Sequence, residues 1–120
     1  MRSDSREFCP HFRTAIELIG RRWSGSILRA LLESPLRFSQ ISAAIPDISD
    51  RSLSLRLKEL ESQDVIVRRV EPSKPVAVAY ELTSKGRALE ATITAVEDWA
   101  HDWVAPRAGD DEREASSLSA

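Results

Sequence analysis

SDRSLSLRLKEL, residues 49–60, supports two incompatible folds. Leu53, Leu55 and Leu57 alternate as on a half-buried strand, whereas Leu53, Leu57 and Leu60 recur at the four-then-three spacing of one helix face. Continued through Ser62, the segment is longer than a typical strand. Its Arg, Lys, Glu and Leu are good helix formers, and Ser49 or Asp50 can cap it. The spacing therefore predicts a helix, which leaves Leu55 in water.

Upstream of it, RFSQISAAI (37–45) places Phe38, Ile41 and Ile45 at three-then-four spacing, and Pro46 closes this short helix. RRWSGSILRALLES (21–34) repeats a helical pattern through Trp23, Ile27, Leu28, Leu31 and Leu32, ending before Pro35. Phe8, Phe12, Ala15, Ile16 and Ile19 mark one face of a first helix, with Pro10 in its first turn and Gly20 as the left-handed residue beyond its last.

Downstream, the period changes to two. Ile66, Arg68 and Val70 alternate with Val67, Arg69 and Glu71; PSKP (72–75) makes a turn; Val76, Val78, Tyr80 and Leu82 share one face of a second strand. Thr83 or Ser84 caps a last helix, on which Leu89, Ile93, Val96, Ala100 and Trp103 form a heptad-like seam.

This order predicts a mainly α fold with a small β-hairpin (α+β), a winged helix-turn-helix with added N- and C-terminal helices. The expected organisation is a flexible N-terminus at 1–7, one winged helix-turn-helix DNA-binding domain with its flanking helices at 8–104, and an acidic, disordered tail at 105–120.

With 120 residues, 42% hydrophobic and 30% charged, the chain is one domain's worth of globular protein. So small a core favours association with a second chain. No apolar run is long enough to span a bilayer and the opening MRSDSREF lacks a secretory signal, so the cytoplasm is expected and a membrane partner is not. Cys9 is the only cysteine, which excludes an internal disulfide and a cysteine-rich zinc site. The net charge of −2 argues against a nucleic-acid partner until it is divided. RAGDDEREASSLSA (107–120) holds four acidic and two basic residues, so the remainder is near neutral and free to carry a local basic face.

With Leu53, Leu57 and Leu60 inward, the outward stripe of the 50–62 helix is Arg51, Leu55, Lys58 and Ser62, flanked by Ser52, Ser54 and Glu59. Arg51 can donate to guanine, Ser52 and Ser54 to bases or phosphates, and Leu55 can pack on a thymine methyl. Leu55 is equally readable as one of the scattered exposed leucines of any protein. Ser49 at the helix start and Lys58 join this DNA-binding set, and Arg56, nearer the flank, suits phosphate. Arg68, Arg69 and Lys74 put charge on the hairpin, either along the DNA backbone or minor groove or on a merely solvated face.

Together these residues resemble the HxlR-type family of bacterial winged-helix regulators. The resemblance runs over about residues 9–104, through Cys9-Pro10, ELIG (17–20), RRW (21–23), SPLRFSQI (34–41), IPDIS (45–49), LKELESQDVIVRR (57–69) and YELTSKG (80–86). It implies a homodimeric transcription factor with a double-stranded DNA operator as partner. It also implies dimer contacts from the first and last helices, here Phe8, Phe12, Ile16, Leu89, Ile93, Val96, Ala100 and Trp103. The chain departs from the family's usual pattern at Leu55, where a polar residue is common. It departs again at Ala77 and Ala79, where a basic and an acidic residue are common, which implies weaker wing contacts.

Some family members sense oxidants or electrophiles through a cysteine in the region of Cys9, making it a candidate redox sensor. Its place beside a helix start favours a reactive thiolate, although a lone cysteine also serves as a small apolar filler. Trp23, Trp99 and Trp103 read either as walls for a small-molecule effector or as core and interface packing. His101 beside Asp98 or Asp102 is a weak metal motif and more simply a solvated surface, so no metal or cofactor is expected.

The rival classes are an enzyme and a winged-helix module that contacts only protein. Cys9 and His11 lack an orienting third group, and neither a phosphate-binding glycine loop nor a paired-histidine motif is present, so no catalytic residues are assigned.

Overall fold

A computed structural model of the chain describes residues 9–72 and 75–104. The expectations for Phe8, Lys74, the 1–7 segment and the 105–120 tail lie outside the described residues. The elements run α1 (Pro10–Ile19), α2 (Ser24–Glu33), β1 (Leu36–Arg37), α3 (Phe38–Ala44), α4 (Asp50–Ser62), β2 (Ile66–Glu71), β3 (Ala77–Leu82), α5 (Ser84–Arg87) and α6 (Glu90–Trp103). They fall into two compact units, Met1–Ala88 with α1 to α5 and the sheet, and Leu89–Ala120 with α6.

In the first unit, Ile27, Leu28 and Leu31 of α2, Ile41 of α3, Leu53, Leu57 and Leu60 of α4, and Val65 and Ile66 are buried. Each such side chain taken from water contributes roughly 1.5–3 kcal/mol. The α4 leucines alone thus fix the helix's rotation about its axis, and with it the direction of the opposite side. Ile45 and Ile48 are buried on either side of Pro46 and Asp47, anchoring the turn between α3 and α4. The reversal needs a left-handed residue, supplied by Asp47 at φ 69°, a residue type that tolerates this region better than most.

The hairpin has a third strand. β1 pairs antiparallel with β3, giving the order β1-β3-β2. Register places Ile66 opposite Leu82 at the base, then Arg68 opposite Tyr80 and Val70 opposite Val78. Burial falls along that row: Ile66 and Leu82 are buried, Tyr80 and Val78 half-buried, Val70 and Val76 exposed. The distal hairpin thus projects from the core as a wing.

Two further local expectations change. Gly20 is not left-handed; its φ of −86° is ordinary, and what needs glycine is space, because a Cβ there would lie 2.6 Å from the Ile16 carbonyl oxygen. The left-handed residue in this connection is Trp23, at φ 77°, with the Arg22 guanidinium 4.7 Å from its ring centroid. A bulky side chain at positive φ stores about 1–3 kcal/mol of strain.

The expected single last helix is two. Thr83 caps α5: its hydroxyl donates to the Asp64 carbonyl at 2.6 Å and accepts the Gly86 N–H at 3.1 Å. A Cβ on Gly86 would collide with the Val65 carbonyl, so glycine lets α5 close onto the base of the hairpin. After Ala88, α6 begins afresh with Leu89 as its N-cap.

Candidate nucleic-acid interface

The outer side of α4 has the composition that the leucine spacing implies. Arg51, Ser54, Leu55, Lys58 and Ser62 are exposed, Leu55 at 44%, while Leu53, Leu57 and Leu60 are inward. Ser49 is the N-cap; its hydroxyl oxygen accepts the Ser52 N–H at 3.0 Å. With Asp50 in the first turn and that cap in place, the helix start presents Arg51 and Ser54 on a rigid first two turns. Neither Arg51 nor Lys58 has an ion-pair partner among the described residues, so both cations are free to meet an anion.

Arg56 differs. Its side chain is 17% exposed and donates to Glu59 at 2.7 Å, and the same carboxylate oxygen takes Arg21 at 3.3 Å. The Arg56 guanidinium, expected to suit phosphate, is thus held by its own helix and forms part of a link from α4 to the α1–α2 connection.

On the wing, Arg68 and Arg69 are both exposed but on opposite faces, because successive strand residues alternate. Arg68 makes no ion pair among the described residues. Arg69 is paired with Glu81 at 3.1 Å, and Arg37 of β1 with Glu71 at 3.3 Å. Arg37, Glu59, Glu71 and Glu81 were not among the site residues expected from sequence. Glu59 pairs with Arg56 at the i,i+3 helical spacing, which the sequence does carry, whereas the pairing of Arg37, Glu71 and Glu81 follows from strand register, for which one-dimensional spacing gives no signal.

Two helices carry exposed apolar surface. No residue of α1 is buried; Phe12 is 55% exposed and Ile16 is also exposed. On α6, Val96 and Trp103 of the expected seam are exposed, Trp103 at 75%, but Ile93 is buried and Leu89 and Ala100 are half-buried. The exposed stripe is instead Thr92, Val96, Trp99 and Trp103, stepping by four, three and four. Trp99, missed in the seam, lines an open groove on α6 with Ala91, Thr92, Ala95 and Val96.

Cys9 is an exposed free thiol at the N-cap of α1. His101 is exposed, and no cluster of three metal-ligating side chains occurs among the described residues. No described helix is long and apolar enough to cross a membrane.

Comparison with known proteins agrees with this geometry. The family model described as HxlR-like helix-turn-helix matches residues 18–108. The HTH-type transcriptional regulator YvaP of Bacillus subtilis is 44% identical over 100 residues, covering 83% of this chain and 93% of that protein. YodB, an HTH-type transcriptional regulator from the same organism, is 43% identical over 98 residues, covering 82% and 88%. The reduced form of YodB superposes with a TM-score of 0.74 at 42% identity, over 84% of this chain and 99% of that one. Diamide-treated and quinone-bound YodB each give 0.68, at 43% and 40% identity, over 80% of this chain and 95% and 100% of theirs. A winged three-stranded sheet, a capped α4 with a free polar flank, and a family match across most of the sequence lead to one conclusion: the chain belongs to the HxlR-like helix-turn-helix family of transcriptional regulators.

Proposed function

We propose that this regulator binds a roughly palindromic DNA operator as a cytoplasmic homodimer, each copy setting α4 in one of two successive major grooves. One observation carries the reading: the same helix that is fixed by three buried leucines leaves Arg51, Ser54, Leu55 and Lys58 exposed, with both cations unpaired among the described residues. Arg51 and Ser52 lie near the helix start, where base edges come within reach. Lys58 lies two turns on, suited to backbone phosphate, and Arg68 adds an unpaired cation on the described part of the wing. The exposed apolar side chains of α1, and separately those of α6, are the surfaces a second copy would cover.

A signal input is part of the proposal. YodB has been described in diamide-treated and quinone-bound forms, and the exposed Cys9 is the group through which this chain would respond to such reagents. Replacing Cys9 with Ser is expected to abolish any change in DNA affinity caused by diamide or quinones; an unchanged response removes Cys9 from the mechanism.

Gel-shift titration of the chain against the DNA upstream of its own gene, with a scrambled duplex as competitor and salt varied, tests the whole. Salt-sensitive, sequence-selective binding by a dimer is the expected result. No binding at low salt would instead identify a module that contacts only protein.

A further inference from the structure

Two arginines of the sheet, Arg69 and Arg37, are restrained by carboxylates on its own strands. Register pairs Arg37 with Ala79 and Ala79 with Arg69, so these three residues form a row across the sheet with their side chains on one face. Glu71, two residues beyond Arg69, and Glu81, two beyond Ala79, share that face. Each arginine meets its diagonal acid: Arg69 to Glu81 at 3.1 Å and Arg37 to Glu71 at 3.3 Å. Two cations and two anions leave the row neutral. On the opposite face, Arg68 has no such neighbour among the described residues.

Neutralising a DNA phosphate with a free cation releases a condensed counterion, and that release drives sequence-independent affinity. An arginine already held by a carboxylate must first give up that partner, and the exposed carboxylate then repels the same phosphate. Exposed ion pairs of this kind are weak, so the restraint is a competition rather than a lock.

We propose that Glu81 and Glu71 are positioning residues that hold Arg69 and Arg37 off the DNA backbone and limit non-specific affinity. Among the described residues the wing then contributes one free cation, Arg68, and discrimination between sequences rests on α4. This rests on the DNA-binding reading above.

The test uses the full chain as wild type, Glu81→Gln, Arg69→Ala and the double variant, with Glu71→Gln and Arg37→Ala as an independent second set. The probes are the upstream duplex and a scrambled duplex of equal length, each titrated at 50 and 200 mM salt. Glu81→Gln is expected to tighten binding to both probes and to steepen the logarithmic salt slope by about 0.9, which over this fourfold salt change is about 3.5-fold. With Arg69 replaced, the added slope is expected to vanish. Glu81→Gln and Glu71→Gln binding no tighter than wild type would overturn the proposal, as would an equal gain with and without the arginine, which is bulk charge alone. Wild-type chain that binds neither probe at 50 mM salt fails at the earlier step and removes the DNA-binding reading with it.

Discussion

Ser49 and Ser52 close the first turn of α4: the hydroxyl oxygen of Ser49 accepts the backbone N–H of Ser52 at 3.0 Å, leaving its own hydrogen free to donate outward. Ser49→Ala is expected to destabilise the fold by about 1 kcal/mol through loss of the cap. Ser49→Asp keeps a capping oxygen, so stability in urea unfolding is retained, while its charge beside the groove-facing side weakens DNA binding in gel shifts. A Ser49→Ala variant of unchanged stability would contradict the cap.

Arg51 and Arg68 stand for two kinds of contact. Arg51→Ala is expected to cost about 1–3 kcal/mol of specific binding and to relax base preference, whereas Arg68→Ala weakens all sequences alike and lowers the salt slope by about one. Competition titrations with operator and scrambled duplexes distinguish them; equal losses of selectivity would refute the division.

Trp99 and Trp103 are exposed on α6, so changing them leaves the chain's own core intact. Trp99→Glu is expected to weaken self-association about 100-fold, since an unpaired carboxylate buried in an apolar interface costs several kcal/mol. Sedimentation equilibrium would show monomer at concentrations where the parent is dimeric, with thermal unfolding of the monomer little altered.

Gly86 makes a packing prediction independent of function. Gly86→Ala forces a methyl against the Val65 carbonyl and is expected to destabilise the fold by about 1–3 kcal/mol, seen as a lower midpoint in thermal or urea unfolding. An unchanged midpoint would mean that the base of the hairpin yields without cost.

The helix-turn-helix was legible because leucine spacing, capping residues and prolines act within a few residues of each other, and Leu55 lies in water as the helix reading requires. β1 was not: two residues, Leu36 and Arg37, carry no measurable alternation and become a strand only because β3 is there to pair with them. Periodicity also implied a continuous last helix, whereas tight closure at Gly86 and a fresh start at Leu89 make two. The same limit applies to the site. Spacing marked Ile93 and Trp103 as one stripe, yet one is buried and the other open, because periodicity finds apolar positions without saying what covers them. Helical spacing marks local pairs such as Arg56–Glu59, but Arg69–Glu81 and Arg37–Glu71 depend on strand register.

The placement of the indoles gives the unmodified chain its own optical reporter. Of three tryptophans, Trp23 is half-buried beside a stacked guanidinium, and the other two lie in solvent on the α6 stripe. Their emission in the isolated chain will be red-shifted and open to collisional quenching by iodide. Dilution or mutation that alters assembly can therefore be followed spectroscopically without attaching a dye.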